Sequence, residues 1–295
     1  MNETPALPKK SLLKKGIILL LKAIIAFFVL SVALTIFYRF VPVPYTPLMF
    51  WRSTASVFTE DKFVGIEKKW VPIEDISKAM QQSVIKAEDY KFYQHRGFDF
   101  EAIEKAIQYN KTHTKKKGAS TISQQTAKNV FLWPSRSWLR KGMEAYFTVL
   151  IEFFWPKERI LEVYLNVIEL GKGVYGVEAA SQKFFKKPAK KLNSSQAALM
   201  AAVLPNPIRF RIDKPSRYIS RRQRKIMGTK IPKIVVAQTP VEVKAEIKEA
   251  LTPEEKSKEF FSLKFDSEEE ADKEKAPEGA ASTAPSENTE DSNND

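Results

Sequence analysis

Gly118-Ala119-Ser120-Thr121-Ile122-Ser123-Gln124-Gln125-Thr126-Ala127-Lys128-Asn129 is a polar run of a kind that rarely serves a core. Hydroxyls, amides and one ammonium share the segment with small side chains that let a ligand come close. Such a set can hydrogen-bond sugar and phosphate oxygens together. Apolar residues at three-to-four spacing predict a helix over residues 121–130. Lys115, Lys116 and Lys117 lie just before it, either as a basic loop suited to phosphates or as a solvated lysine run ahead of a capped helix.

The same helical spacing recurs on both sides. It predicts helices over residues 76–86, 100–109, 138–154, 158–167, 177–185 and 196–204. Ser194 or Ser195 is the expected N-cap of the last of these and Pro205 its stop. The expectation is an all-α domain without a convincing strand in its core.

Before residue 76 the chain changes character. Residues 16–37 are almost wholly apolar, with Lys22 the only charge. That is long enough for a transmembrane helix. Lys9, Lys10, Lys14 and Lys15 precede it, which predicts a cytoplasmic N-terminus. Tyr38, Phe40, Tyr45, Phe50 and Trp51 form an aromatic belt at the far face. A cleaved signal peptide fits less well, because the apolar run is too long and no Ala-x-Ala site follows. Val41-Pro42-Val43-Pro44-Tyr45-Thr46-Pro47 reads as a stiff, extended connector.

The chain of 295 residues contains no Cys, which excludes disulfides and thiolate-metal sites, and only two His, His95 and His113, which disfavours a His-rich zinc centre. Its net charge is +13. Residues 266–295 hold eleven acids against Lys273 and Lys275, a net −9, so the remainder carries +22. A body that basic expects an anionic partner such as phospholipid headgroups or a phosphorylated substrate. Nucleic acid is not expected beyond a membrane anchor. Residues 231–236 suggest a short strand or extended arm and 245–251 a weak helix. The acidic tail has the composition of a disordered segment.

Four further segments bear on chemistry. Lys86-Ala87-Glu88-Asp89 and the aromatics after it place a Glu at a helix end, where burial would raise its pKa toward the working pH of a base or acid. Asp89 would raise it further; the plainer alternative is a helix end with surface acids. His95 reads as a packing and hydrogen-bonding residue and Gly97 as a turn. Arg140, Lys141 and Glu144 share a helix face, either as an ordinary ion pair or as a phosphate-holding cation steered by a carboxylate that can also bind a metal. The segment 157–166 with Gly171, Gly173 and Gly176, and the segment 197–207, read as mainly structural.

In this order and spacing, the five segments strongly resemble glycosyltransferase family 51, the peptidoglycan glycosyltransferases. Glu88, Asp89, Phe92, His95 and Gly97 match one family signature; Gly118 through Asn129 match Gly-x-Ser-Thr-x-x-Gln-Gln-x-x-Lys-Asn; Arg140, Lys141 and Glu144 match Arg-Lys-x-x-Glu. Ala119 and Ser123 stand where many relatives carry Gly and Thr. Ser83-Val84-Ile85-Lys86 fits Ser-x-x-Lys, but no Lys-Thr-Gly follows anywhere, so a penicillin-binding transpeptidase is not expected.

The resemblance implies a lysozyme-like all-α glycosyltransferase domain over 53–230, behind a basic N-terminus at 1–15, an anchor at 16–38 and a linker at 39–52. An extension at 231–265 and the acidic tail at 266–295 fall outside it. It implies a single-pass protein of the inner membrane with its catalytic domain outside the cytoplasm. The implied reaction joins lipid II to a lipid-linked glycan strand through β-1,4 bonds with inversion. Glu88 is then the general base, Glu144 a second catalytic carboxylate, and Ser120, Thr121, Gln124, Gln125, Lys128, Asn129, Arg140 and Lys141 the substrate-binding set. A divalent cation such as Mg²⁺ is a cofactor candidate, with Glu144 as its ligand; no organic cofactor is expected. Other cell-wall synthesis proteins are candidate partners. Val130-Phe131-Leu132-Trp133-Pro134 reads equally as core or as a bilayer-dipping segment. A lytic muramidase and a catalytically silent membrane scaffold are the competing readings.

Overall fold

The computed structural model describes residues 9–58, 65–114, 116–135 and 137–229. The expected strand at 231–236, the weak helix at 245–251, the extension, the acidic tail and Lys115 lie outside the described residues. Helix α1 spans Lys9–Phe40. Its Lys14–Phe40 portion is long and apolar enough to cross a membrane. Its other end rests on the protein body. Ser31 and Thr35 are buried there, and Tyr146 forms a 2.6 Å hydrogen bond with Ser31.

Only residues 41–46 of the expected connector are extended. Helix α2 begins at Pro47 and runs Pro47–Phe58, which corrects the expected linker. Proline has the φ of a helix start and lacks an N–H that the first turn could not use.

The body is built from α3 (Lys78–Glu88), α4 (Phe100–Thr112), α5 (Ile122–Phe131), α6 (Trp138–Phe154), α7 (Lys157–Val167), α8 (Val177–Phe185), α9 (Ser194–Val203) and α10 (Arg217–Gly228). Helix α5 packs against α6 and α7, and α3 against α9 and α10. Ile122, Ala127 and Val130 of α5, Phe147 and Ile151 of α6, and Ile160, Leu161 and Tyr164 of α7 share one buried core. The Phe131 and Phe147 rings stack at 4.4 Å. Fully burying a large apolar side chain of this kind contributes about 1.5–3 kcal/mol.

The helical fold class is as expected, with a small sheet added and one helix cap changed. A small sheet exists: β1 (Glu67–Lys68), β2 (Glu169–Gly171) and β3 (Val174–Tyr175), in the order β1-β3-β2. Strands of two and three residues are too short to show alternation. The cap of α9 is Asn193 rather than Ser194 or Ser195; it forms a reciprocal capping box with Gln196.

Candidate active site

Helix α3 starts with Ser77 accepting from the Met80 N–H and ends at Glu88. Glu88 leaves that end toward two other helices. Its Oε2 accepts from Gln125 Nε2 at 3.0 Å and its Oε1 from Arg222 Nη2 at 3.2 Å. Tyr164 donates its hydroxyl proton to Gln125 Oε1 at 3.1 Å. That bond fixes the Gln125 amide so that its donor nitrogen faces the carboxylate. Burial is the main influence on Glu88 and pushes its carboxyl above the usual range. The Gln125 hydrogen bond and the Arg222 charge pull it back, Asp89 pushes it up, and Lys128 pulls it down.

Asp89, the neighbour of Glu88, serves a different purpose. Its buried carboxylate meets His95 Nε2 at 2.9 Å and 3.0 Å and accepts the Ile122 backbone N–H at 3.0 Å. It therefore ties the end of α3 to the start of α5. An anion at a helix N-terminus is favoured by the unpaired N–H groups there. Gly97 sits at φ 91°, the conformation expected of a turn glycine. Its carbonyl accepts from Thr121 Oγ1 at 2.5 Å.

The polar run divides by location. Thr121 and Gln124 form the capping box of α5, and both are buried. Ser123 is buried as well and donates to Glu152 Oε1. Ser120 and Gly118 line a cleft of about 340 Å³ that reaches Glu88 and is walled by Lys105, Tyr109 and Lys117. Lys128 and Asn129 are half-buried on α5. The fold thus sets Gln125 against Glu88, brings Lys128 near enough for its charge to lower the Glu88 pKa, and lines the cleft beside Glu88 with Ser120.

Arg140, Lys141 and Glu144 form a second cluster in the first turns of α6, which Ser137 caps. All three are buried. Lys141 Nζ donates to Glu144 Oε1, and Arg140 Nη1 lies 3.8 Å from Glu144 Oε2. Arg140 and Lys141 are not among the residues lining the cleft at Glu88. The donor set at Glu144 does not suit a divalent ion, since two cations already face its one carboxylate. Among the described residues no three carboxylate or imidazole groups converge.

The segment 130–134 splits. Val130 and Leu132 are core, and Phe131 packs on that core, while Trp133 is exposed. Trp138, Leu139 and Phe153 on α6 are exposed too.

Two residues of the Glu88 network carried no role in the sequence reading. Arg222 lies within the basic run of α10, which passes for a solvated face. Its signal is position: Ile219 and Ile226 are the buried residues of α10, and Arg222 stands between them at helical spacing. Tyr164 sits in the apolar run of α7 and gives no sign of its polar end.

The transglycosylase family model matches residues 57–230 of this chain. The chain belongs to the transglycosylase family. It is similar to a biosynthetic peptidoglycan transglycosylase of Bdellovibrio bacteriovorus, 61% identical over 85% of this chain and 94% of that protein. Proteins of the same description from Bacteroides thetaiotaomicron and Caulobacter vibrioides are 52% and 50% identical. These cover 75% and 70% of this chain, and 88% and 90% of their own lengths. This transglycosylase is an enzyme of glycosyl transfer, mostly helical as expected, with its matched region holding both polar clusters.

Proposed function

We propose that this transglycosylase polymerises lipid II into β-1,4-linked peptidoglycan strands, with Glu88 as general base. The observation that carries the reading is the environment of Glu88. The carboxylate is desolvated, aimed by Gln125 and Arg222, and opens on the cleft that Ser120 lines. A base whose pKa is raised toward neutrality removes a hydroxyl proton best, an effect of about 10²–10⁴ in rate.

In the proposed step the acceptor's 4-hydroxyl gives its proton to Glu88. Its oxygen forms the new bond to the donor's anomeric carbon. The bond from that carbon to the diphosphate oxygen breaks, and the electron pair leaves with the polyprenyl diphosphate. A single displacement from the opposite face inverts the configuration. The leaving group needs its charge neutralised rather than a proton, and Lys128 is the cation proposed for it nearest Glu88; Arg140 and Lys141, which do not line the cleft at Glu88, are proposed to hold the diphosphate farther from that carboxylate. Thr121 and Gln124 act by holding the start of α5 in place, and Ser120, Gln125 and Asn129 orient polar oxygens. Glu144 holds Lys141 and Arg140. No step passes through a metal.

We infer from the lysines at the N-terminal end of the anchor helix that the body lies outside the cytoplasm, at the surface of the inner membrane. The exposed Trp133, Trp138, Leu139 and Phe153 suit the interface of that membrane.

The test is Glu88→Gln, assayed with labelled lipid II by the length of glycan produced. The expected result is loss of polymerisation with lipid II binding retained. A Glu88→Gln enzyme with ordinary turnover removes Glu88 from this role. Release of muropeptides from finished peptidoglycan by the wild type would replace the reading with a lytic one.

A further inference from the structure

The exit of α1 toward the body is held by two cations. Arg159, near the start of α7, donates from Nη2 to Tyr38 O at 2.8 Å and to Val41 O at 2.7 Å, and from Nε to Tyr38 O at 3.2 Å. Its remaining nitrogen, Nη1, donates to Glu162 Oε1 at 2.6 Å. Lys68, on β1, donates from Nζ to Val43 O at 2.5 Å and to Pro44 O at 2.8 Å. Both cations lie over the Trp70 ring, Arg159 Cζ at 5.2 Å and Lys68 Nζ at 5.4 Å from its centroid. Four backbone carbonyls of the anchor's exit are thereby fixed to the body.

The arrangement exceeds what a simple tether needs. The C-terminal end of a helix carries partial negative charge and orphan carbonyls, and a planar guanidinium satisfies several of them with little loss of freedom. Further along α1, Trp155 Nε1 donates to Thr35 O at 2.7 Å, and Phe28 packs edge-on against Tyr146 at 5.5 Å. Helix α7, which carries Arg159, also carries Tyr164, and so is part of the frame around Glu88.

We propose that Arg159, with Lys68, is a positioning residue that locks the membrane helix to the catalytic body and so sets the height of the Glu88 cleft above the bilayer. This rests on the proposed function, since height matters only to an enzyme whose substrate is held in the lipid. A body swinging on residues 41–46 would meet the headgroup plane in many orientations. Misplacement of about 1 Å can cost 10²-fold in rate. A locked helix of 32 residues, about 48 Å long, removes that freedom.

The full chain in vesicles is compared with Arg159→Gln and Arg159→Lys on two substrates: lipid II with its full polyprenyl chain in the bilayer, and a short-chain, water-soluble analogue. The expected result is a fall of about tenfold or more in kcat/KM for Arg159→Gln on the bilayer substrate, unchanged turnover of the soluble analogue, and partial recovery in Arg159→Lys. Because the chain has no Cys, spin labels at Leu34→Cys and Met227→Cys report the anchor-to-body distance. It should be narrowly distributed in the wild type and broad in Arg159→Gln. Equal losses on both substrates, or a bilayer rate and distance distribution that do not change, overturn the proposal. A wild type that polymerises neither substrate refutes the proposed function instead, and the label distances then still decide whether Arg159 locks the helix.

Discussion

Replacing Gly97 with Ala tests the link between the turn after α3 and the start of α5. Gly97 sits at φ 91°, where an L side chain costs about 1–2 kcal/mol. A Cβ there would lie 2.8 Å from Thr148 Cγ2 and 3.2 Å from Glu152 Cγ. Thr148 cannot turn away, because it is fully buried and its Oγ1 donates to Glu144 O at 2.7 Å. Overpacking of this kind adds about 1–3 kcal/mol. The sum is a loss of about 2–5 kcal/mol, read by urea unfolding of the detergent-solubilised chain. The two causes separate in a double mutant. Thr148→Ser removes the clashing methyl and keeps the hydroxyl, so it should recover the steric part and leave the backbone part. A coupling of about 1–3 kcal/mol between the two sites is expected. A Gly97→Ala cost below about 0.5 kcal/mol, or strict additivity with Thr148→Ser, refutes the reasoning.

Arg222→Gln removes a cation 3.2 Å from Glu88 and makes its carboxyl harder to ionise. The acid limb of the kcat/KM profile should move to higher pH, with the loss deepest at low pH and fading as pH rises. Gln125→Met should move it the same way, and a limb that stays in place in both variants contradicts Glu88 as the titrating base. Lys68 is held by burial at about 8, below its ordinary 10.5. The unfolded chain therefore binds more protons between these values, so folded stability should rise with pH across that window and level off above it. Unfolding free energies of the wild type minus those of Lys68→Met isolate this contribution; a difference that is flat or falls from pH 8 upward would contradict it.

The long elements were legible because their apolar spacing is repeated over several turns. Trp138–Phe154 and Val177–Phe185 have the expected bounds, and α5 differs by one residue at each end. The short strands escaped because their pairing is non-local: β1 at Glu67 meets β3 at Val174, far along the chain. Helix α2 escaped because the prolines before it suggest extension, and Pro47 is equally a helix start. At the candidate site, the sequence offered Glu88, Gln125 and Lys128 as candidates by type and spacing, and the structure sets Gln125 against Glu88. The sequence did not show that Thr121 and Gln124, unlike Ser120, have side chains taken up in capping. Side-chain direction at a helix start depends on the backbone of the preceding turn, here Gly97 and its bond to Thr121. Arg222 comes from the last described helix, and only tertiary packing brings it to Glu88.

The adjacency of Glu88 and Asp89 bears on how one helix end can hold a desolvated carboxyl group. Two carboxylates side by side raise each other's pKa if they share a space. Here Asp89 does raise the pKa of Glu88, but burial is the larger cause, and the two carboxylates are bonded to different partners. The cap residue Asp89 leaves the helical path at φ −160° and turns its carboxylate to His95 and the first N–H of α5. Glu88 keeps the helical direction and meets Gln125, on the same α5, and Arg222, on α10. Asp89 thus fixes the helix that presents the hydrogen-bond donor to Glu88. On this view Asp89→Asn and Glu88→Gln differ in kind. The first should loosen α5 and lower stability by about 1–3 kcal/mol, with partial activity remaining. The second should leave stability nearly unchanged and remove turnover. Identical stability losses in both variants, measured by the same urea unfolding, would mean that the two carboxylates are a single structural unit and that Glu88 is not held apart for chemistry.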